Sequence, residues 1–261
     1  MKPSVSNTSS QYGTRGRRHG FDTGVRKVAP TYGKARYLVH SLKASGIMSV
    51  ESDFERLVAH LLTLDPAVRS FAPQPFTVDL IDRRILRSPE LVKQARHRHR
   101  GRIGQKFYTP DFLANWTLGG SAAIELKLEG YEGNANDQMR IARGRDVIEA
   151  SGMQFLQIVW PKSNRNPMRI NVPMLAKAKS RIDLWPGDDL IGSVARALEQ
   201  GARTEHDLCN AISLDPNLVP MLLVSGVLAA NVLERPINGA MAVTSADGDL
   251  AHLSLLRKVS R

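Results

Sequence analysis

Tyr108-Thr109-Pro110-Asp111-Phe112, a gap, and then Ile124-Glu125-Leu126-Lys127 place an acid, a second acid and a lysine on two neighbouring β-strand-like segments. Leu118-Gly119-Gly120 between them is a turn signal. Alternate residues of a strand share a face. Glu125 and Lys127 therefore project together, while Ile124, Leu126 and Leu128 point towards a core. Asp111 sits between Pro110 and Phe112, inside a strand-like run where aspartate is disfavoured.

The flanking sequence supplies the rest of an α/β layer. Downstream, the pattern predicts strands near 106–116 and 122–129, a helix over 135–150 stopped by Ser151-Gly152, a buried strand over 155–160 and a helix over 172–182. Upstream, it predicts a helix capped by Ser49, running to Leu64 and ended by Asp65-Pro66. Strands near 68–71 and 76–81 flank Pro73-Gln74-Pro75, and a basic connection fills 82–106. Helix, strands, helix and strand in this order describe helices around a mixed sheet.

Trp185-Pro186-Gly187-Asp188 reads as a linker. Three helical segments follow, 189–200, 204–212 and 215–231, with 241–245 and 253–256 as a wing hairpin. That is the outline of a winged helix-turn-helix. The expected organisation is a basic arm and leading segment over 1–48, a catalytic α/β domain over 49–184 and a small winged-helix-like domain over 185–261.

The chain has 261 residues, 42% of them hydrophobic, enough for a sizeable core. It has no apolar run of the ~18 residues that a membrane helix needs. Its start lacks an apolar signal core, and Cys209 is the sole cysteine; both favour a reducing cytoplasm. The formal charge is +11, unevenly spread. Residues 1–48 hold nine Lys/Arg, among them Arg15, Arg17, Arg18, Arg26 and Lys27, against Asp22 alone. Residues 189–256 hold three against eight acids. A basic surface suits a polyanion such as DNA.

Two carboxylates and a lysine are the donor set of a Mg²⁺-dependent phosphodiesterase. Each also has a plainer reading, Asp111 as an edge acid and Glu125 with Lys127 as a surface ion pair. Such sites often take a further acid from a helix. Glu51 and Asp53 fit the first helical turn on electrostatic grounds alone. Glu55 lies deeper and borders the apolar face. Gln74 either braces the site or caps its turn. Arg96, Arg98, Arg100 and Arg102, with Arg140, Arg143 and Arg145 on the later helix, are candidate phosphate contacts or solvated charges. His97 and His99 alternate with arginines, which speaks against a cation site there.

Ser52-Asp53-Phe54-Glu55, Gln74-Pro75-Phe76, Tyr108-Thr109-Pro110-Asp111-Phe112-Leu113 and Ile124-Glu125-Leu126-Lys127 together resemble TnsA. TnsA is the endonuclease subunit of heteromeric, Tn seven-like cut-and-paste transposases. The resemblance covers about residues 49–160 and implies a restriction-endonuclease-like fold of the PD-(D/E)xK superfamily. It implies Glu55, Asp111, Glu125 and Lys127 as the catalytic set. Mg²⁺, with Mn²⁺ as a substitute, would be held by Glu55, Asp111, Glu125 and the Leu126 carbonyl. The best-known member has Gln where this chain has Glu125, so the metal site here is at least as anionic. The implied partners are transposon-end DNA, a DDE-type transposase that cuts the 3′ ends, and an AAA+ ATP-dependent regulator contacted by the C-terminal domain. The implied reaction is cleavage of the 5′ strand.

The 215–231 segment has no Lys or Arg, so it offers nothing to neutralise phosphates, and a protein-binding role for the C-terminal part follows. A stand-alone restriction- or repair-type nuclease, a non-catalytic adaptor of the same fold and a DNA-binding regulator are the competing readings.

Overall fold

The structure is a computed structural model, which describes residues 37–44, 46–131 and 133–260. The basic arm, including Arg15, Arg17, Arg18, Arg26 and Lys27, lies outside the described residues.

The described chain opens on an antiparallel hairpin, β1 (Tyr37–Ser41) and β2 (Gly46–Val50), which spans the end of the leading segment and the expected start of the catalytic domain. Ser49 is therefore a buried strand residue and not a helix cap. Ser52 caps α1 (Asp53–Leu64) instead, its Oγ accepting from Glu55 N–H at 3.1 Å. Leu57, Val58, Leu61, Leu62 and Leu64 recur at helical spacing and are essentially inaccessible. Each such side chain contributes about 1.5–3 kcal/mol by burial.

β3 (Val68–Pro73) follows, then β4 (Thr77–Asp79) and β5 (Arg84–Leu86). The supposed basic connection also holds a helix, α2 (Pro89–Arg98), with Ser88 as N-cap and a basic last turn that complements the helix dipole. The expected single strand over 106–116 is two pieces in two sheets, β6 (Phe107–Tyr108) and β7 (Phe112–Trp116). β8 (Ser121–Leu128) pairs antiparallel with β7. α3 (Ala135–Ala150) then crosses over to β9 (Gln154–Trp160), which lies parallel to β8, as a strand–helix–strand unit requires.

The main sheet has the order β3-β7-β8-β9, and a smaller sheet has β5-β4-β6. The main sheet is covered on both faces. Phe71, Phe112, Ala114, Ile124, Ile158 and Trp160 pack with α1 on one side. Ala123 packs with Ile141, Val147 and Ile148 of α3 and with Phe76, Val78 and Tyr108 on the other. The protein is mixed α/β.

α4 (Pro167–Lys179) starts earlier than expected because Asn166 caps it and Pro167 takes its first position. α5 (Asp188–Glu199) and α6 (Glu205–Ile212) match their expected spans closely. The expected 215–231 helix is only a 3₁₀ turn over Pro216–Leu218 and a short α7 (Val219–Val224). Gly226, in the left-handed region at φ 78°, redirects the chain into β10 (Leu228–Ala229). The hairpin partner of β10 is β11 (Thr244–Ser245); residues 253–256, expected as a wing strand, run from the end of a 3₁₀ turn (Ala251–Leu253) through Ser254 and Leu255 to the start of α8 (Leu256–Val259).

The C-terminal elements share the α1-side core of the sheet. Asn171 of α4, fully buried, donates from Nδ2 to the Val232 and Arg235 carbonyls, both at 2.7 Å. Its Oδ1 accepts from Ile237 N–H. Asp65, at the end of α1, accepts from Leu256 N–H at 2.8 Å. No helix among the described residues is long and apolar enough to cross a membrane.

Candidate active site

The β7–β8 register pairs Phe112 with Ile124, so Asp111 falls opposite Glu125. Asp111 N–H donates to the Ile124 carbonyl at 2.9 Å, and its carboxylate Oδ2 accepts from Leu126 N–H at 2.7 Å. Leu126 thus orients Asp111 through its N–H, a bond that does not involve its carbonyl, the expected cation ligand. Glu125 is 7% exposed. Its Oε2 accepts from the Tyr108 hydroxyl at 2.7 Å, and its Oε1 lies 3.1 Å from Lys127 Nζ. The alternation that predicted a shared face for Glu125 and Lys127 holds, and that face is largely buried.

Tyr108 was read as part of a motif and not as a site residue. It is buried, and it fixes the Glu125 carboxylate. Gly144 of α3 makes room for it, since a Cβ there would stand 2.6 Å from Cγ of the Tyr108 ring. No local sequence signal exposes that contact, because Tyr108 and Gly144 meet only once α3 crosses the sheet.

Glu55 enters from the first turn of α1. Its Oε1 accepts from the Ser52 hydroxyl at 2.9 Å and its Oε2 from Glu51 N–H at 3.0 Å. This is a capping-box arrangement shifted by one residue. Glu55 therefore caps the first turn, whereas the sequence places it one turn deeper in the helix. It is also close enough to Asp111 to act on it electrostatically. Gln74 joins the two groups: its N–H donates to the Asp111 carbonyl at 2.9 Å, and its Nε2 donates to Glu51 Oε1 at 3.2 Å.

Burial, and then the facing Glu125 carboxylate, push the Asp111 carboxyl well above the ordinary range. Glu55 adds to this, while the Leu126 N–H and Lys127 oppose it. Burial and Glu125 likewise raise the Tyr108 phenol. Among the described residues, Lys127 pairs with Glu125 and bears electrostatically on Asp111. Hard oxygen donors with excess negative charge suit a divalent cation of the Mg²⁺ type. The residues fit such an ion in chemistry. Among the described residues, though, they are not drawn together as tightly as a second trio is.

That second trio is Asp79, Asp82 and His99, whose ligand atoms lie within 4.8 Å of one another. His99 is buried and its Nε2 bonds both Asp79 oxygens, at 2.9 and 3.1 Å. Asp79 also accepts from the Ile81 and Asp82 N–H groups, and Arg98 closes on Asp82 at 2.7 Å. The cluster fastens the turn after β4 to the end of α2, with a guanidinium already in the cation's place. The sequence set His99 aside because of its arginine neighbours; it is the buried member of the run.

Arg96, Arg98, Arg100 and Arg102 are exposed around the C-terminal end of α2. Arg98 is committed to the aspartates. On α3, Arg143 donates to the Leu80 carbonyl at 2.8 Å and Arg145 pairs with Glu149. Arg140 is the arginine brought to the site: it bears electrostatically on Tyr108, and its buried Nε has no partner. No protein-family model matches the chain, and none of the curated proteins matches it.

Proposed function

We propose that the protein is a Mg²⁺-dependent DNA endonuclease with a restriction-endonuclease-like catalytic fold. The observation that carries this reading is the opposition of Asp111 and Glu125 across one strand pair, with Lys127 beside Glu125 on a largely buried face. Asp111, Glu125 and Glu55 would hold the cation, which supplies Lewis acidity and a lowered pKa for bound water. Tyr108 holds Glu125 in place, and Leu126 N–H orients Asp111. Lys127 neutralises Glu125 before substrate arrives. It is then the positive group at hand for the charge that builds on a scissile phosphate. Arg96, Arg100, Arg102 and Arg140 would hold the DNA backbone without reading its sequence.

The resemblance to TnsA supports a narrower assignment, a transposase subunit that cleaves the 5′ strand at transposon ends in the cytoplasm. It would work with a DDE-type transposase and an AAA+ regulator docked on a winged-helix-like C-terminal domain. The absence of Lys and Arg over 215–231 supports a protein partner there. The test is cleavage of transposon-end DNA in Mg²⁺, with and without the element's transposase, beside Asp111→Ala. The reading expects partner-dependent 5′-strand cleavage that the variant loses. Cleavage by the protein alone would favour a free-standing nuclease, and cleavage indifferent to Asp111→Ala would sink both.

A further inference from the structure

Gln74 is 7% exposed, and its side-chain oxygen Oε1 is buried without a hydrogen-bond partner. The amide cannot be turned to cure this. Nε2 faces the Glu51 carboxylate at 3.2 Å, and the flipped amide would set two acceptors against each other. An orphaned buried carbonyl costs about 1–3 kcal/mol. The backbone adds to the cost, because Gln74 sits at φ 43°, a region that residues with a Cβ seldom occupy. Pro73 and Pro75 hold it on both sides.

Its surroundings say what the oxygen is kept for. Gln74 N–H is bonded to the carbonyl of Asp111, and Nε2 to Glu51, whose own N–H is bonded to Glu55. Gln74 therefore bridges the Asp111 segment, through its backbone N–H, and the start of α1, through its side-chain Nε2. A hard cation accepts amide carbonyl oxygens as readily as carboxylates.

We propose that Gln74 Oε1 is a further oxygen ligand, direct or through one bound water, of the divalent cation that Asp111 and Glu55 share. This rests on the metal-dependent reading above. An amide there adds an oxygen donor without a fourth negative charge beside Asp111, Glu125 and Glu55.

The test is calorimetric titration of the full chain with MnCl₂, without DNA, together with the thermal midpoint at each Mn²⁺ concentration. Gln74→Leu should weaken Mn²⁺ binding by about tenfold or more, the scale of losing a supporting donor at a metal site. It should leave the metal-free midpoint close to wild type, because the cost of the orphan oxygen and the Nε2–Glu51 hydrogen bond are lost together. Gln74→Glu should lower the metal-free midpoint beside Glu51 and enlarge the upward shift that Mn²⁺ produces. Wild-type affinity and an unaltered Mn²⁺ shift in both variants, with binding abolished by Asp111→Asn, would refute the role of Gln74 and leave the site reading intact. A wild-type chain that binds no Mn²⁺ would overturn both.

Discussion

Gly144→Ala is the substitution on which the architecture of the site can be judged. At an open helical position this change stabilises by about 1 kcal/mol through helix propensity. Here the new Cβ would stand 2.6 Å from Cγ and 2.9 Å from Cε1 of Tyr108, and nearer still to Cδ1. Those atoms belong to a ring that is 2% exposed, not to the loose end of a surface chain. Either the ring or α3 must retreat by about 1 Å, and overpacking of this kind costs about 1–3 kcal/mol. The two effects separate in a double-mutant cycle with Tyr108→Ala, followed by urea denaturation. Gly144→Ala should be neutral or destabilising in the wild type and stabilising once the ring is gone. The difference between backgrounds should be about 1–3 kcal/mol. A second readout comes from the Tyr108 hydroxyl, whose 2.7 Å bond to Glu125 would be displaced. Mn²⁺ affinity should fall by about tenfold, as for other partners that orient a ligand. If Gly144→Ala simply stabilises the wild type, the proposed packing of α3 against Tyr108 is wrong.

Three further outcomes follow from other parts of the fold. Asn171→Ala should lose about 2–4 kcal/mol in denaturant melts, because it strands two buried carbonyls and one N–H. Burial and the charge of Lys179 hold the Lys43 ammonium down to about 8 from 10.5, with Asp65 opposing. The native state therefore releases that proton first, so thermal stability should rise as pH climbs from about 8 to 10.5, and Lys43→Met should flatten the rise. Asp111 shows the opposite linkage: its carboxyl is held up by burial and Glu125, so native protein keeps the proton longer and loses stability as pH rises above the usual carboxylate range. Asp111→Asn should then melt higher than wild type at pH 7 without added metal; a lower midpoint would contradict the charge balance drawn for the site.

What could be read ahead of the structure was whatever is written in short-range periodicity. α1, α3, β8 and β9 show themselves through spacing alone, and so does the common face of Glu125 and Lys127. The α2 helix was hidden because only Val92 and Ala95 of it are buried, too thin a stripe among its arginines. The β1–β2 hairpin carries no Gly-Asn turn pair, and its alternation was too short to separate from irregular chain. Ser49 and Ser52 are equally good caps in isolation; the pairing of Ser49 with Leu38 decides between them. The β10 strand finds its partner fifteen residues on, across a segment that periodicity cannot bridge. In the site, Asp111, Glu125 and Lys127 could be read from one hairpin. Tyr108 as a brace, Gly144 as its clearance and Gln74 as a bridge to Glu51 depend on contacts between elements far apart in sequence.

β8 pairs with β7 over residues 121–124 and with β9 over residues 122–128, so it is held on two edges in its first half and by β9 beyond Ile124. Backbone amides in such a position exchange with solvent only when the whole cooperative unit opens. The first half of β8, paired on both sides, should therefore exchange more slowly than the half that carries Glu125 and Lys127. Glu125 and Lys127 thus sit where the strand passes from two neighbours to one, the end of it that the Asp111 carboxylate holds through Leu126 N–H.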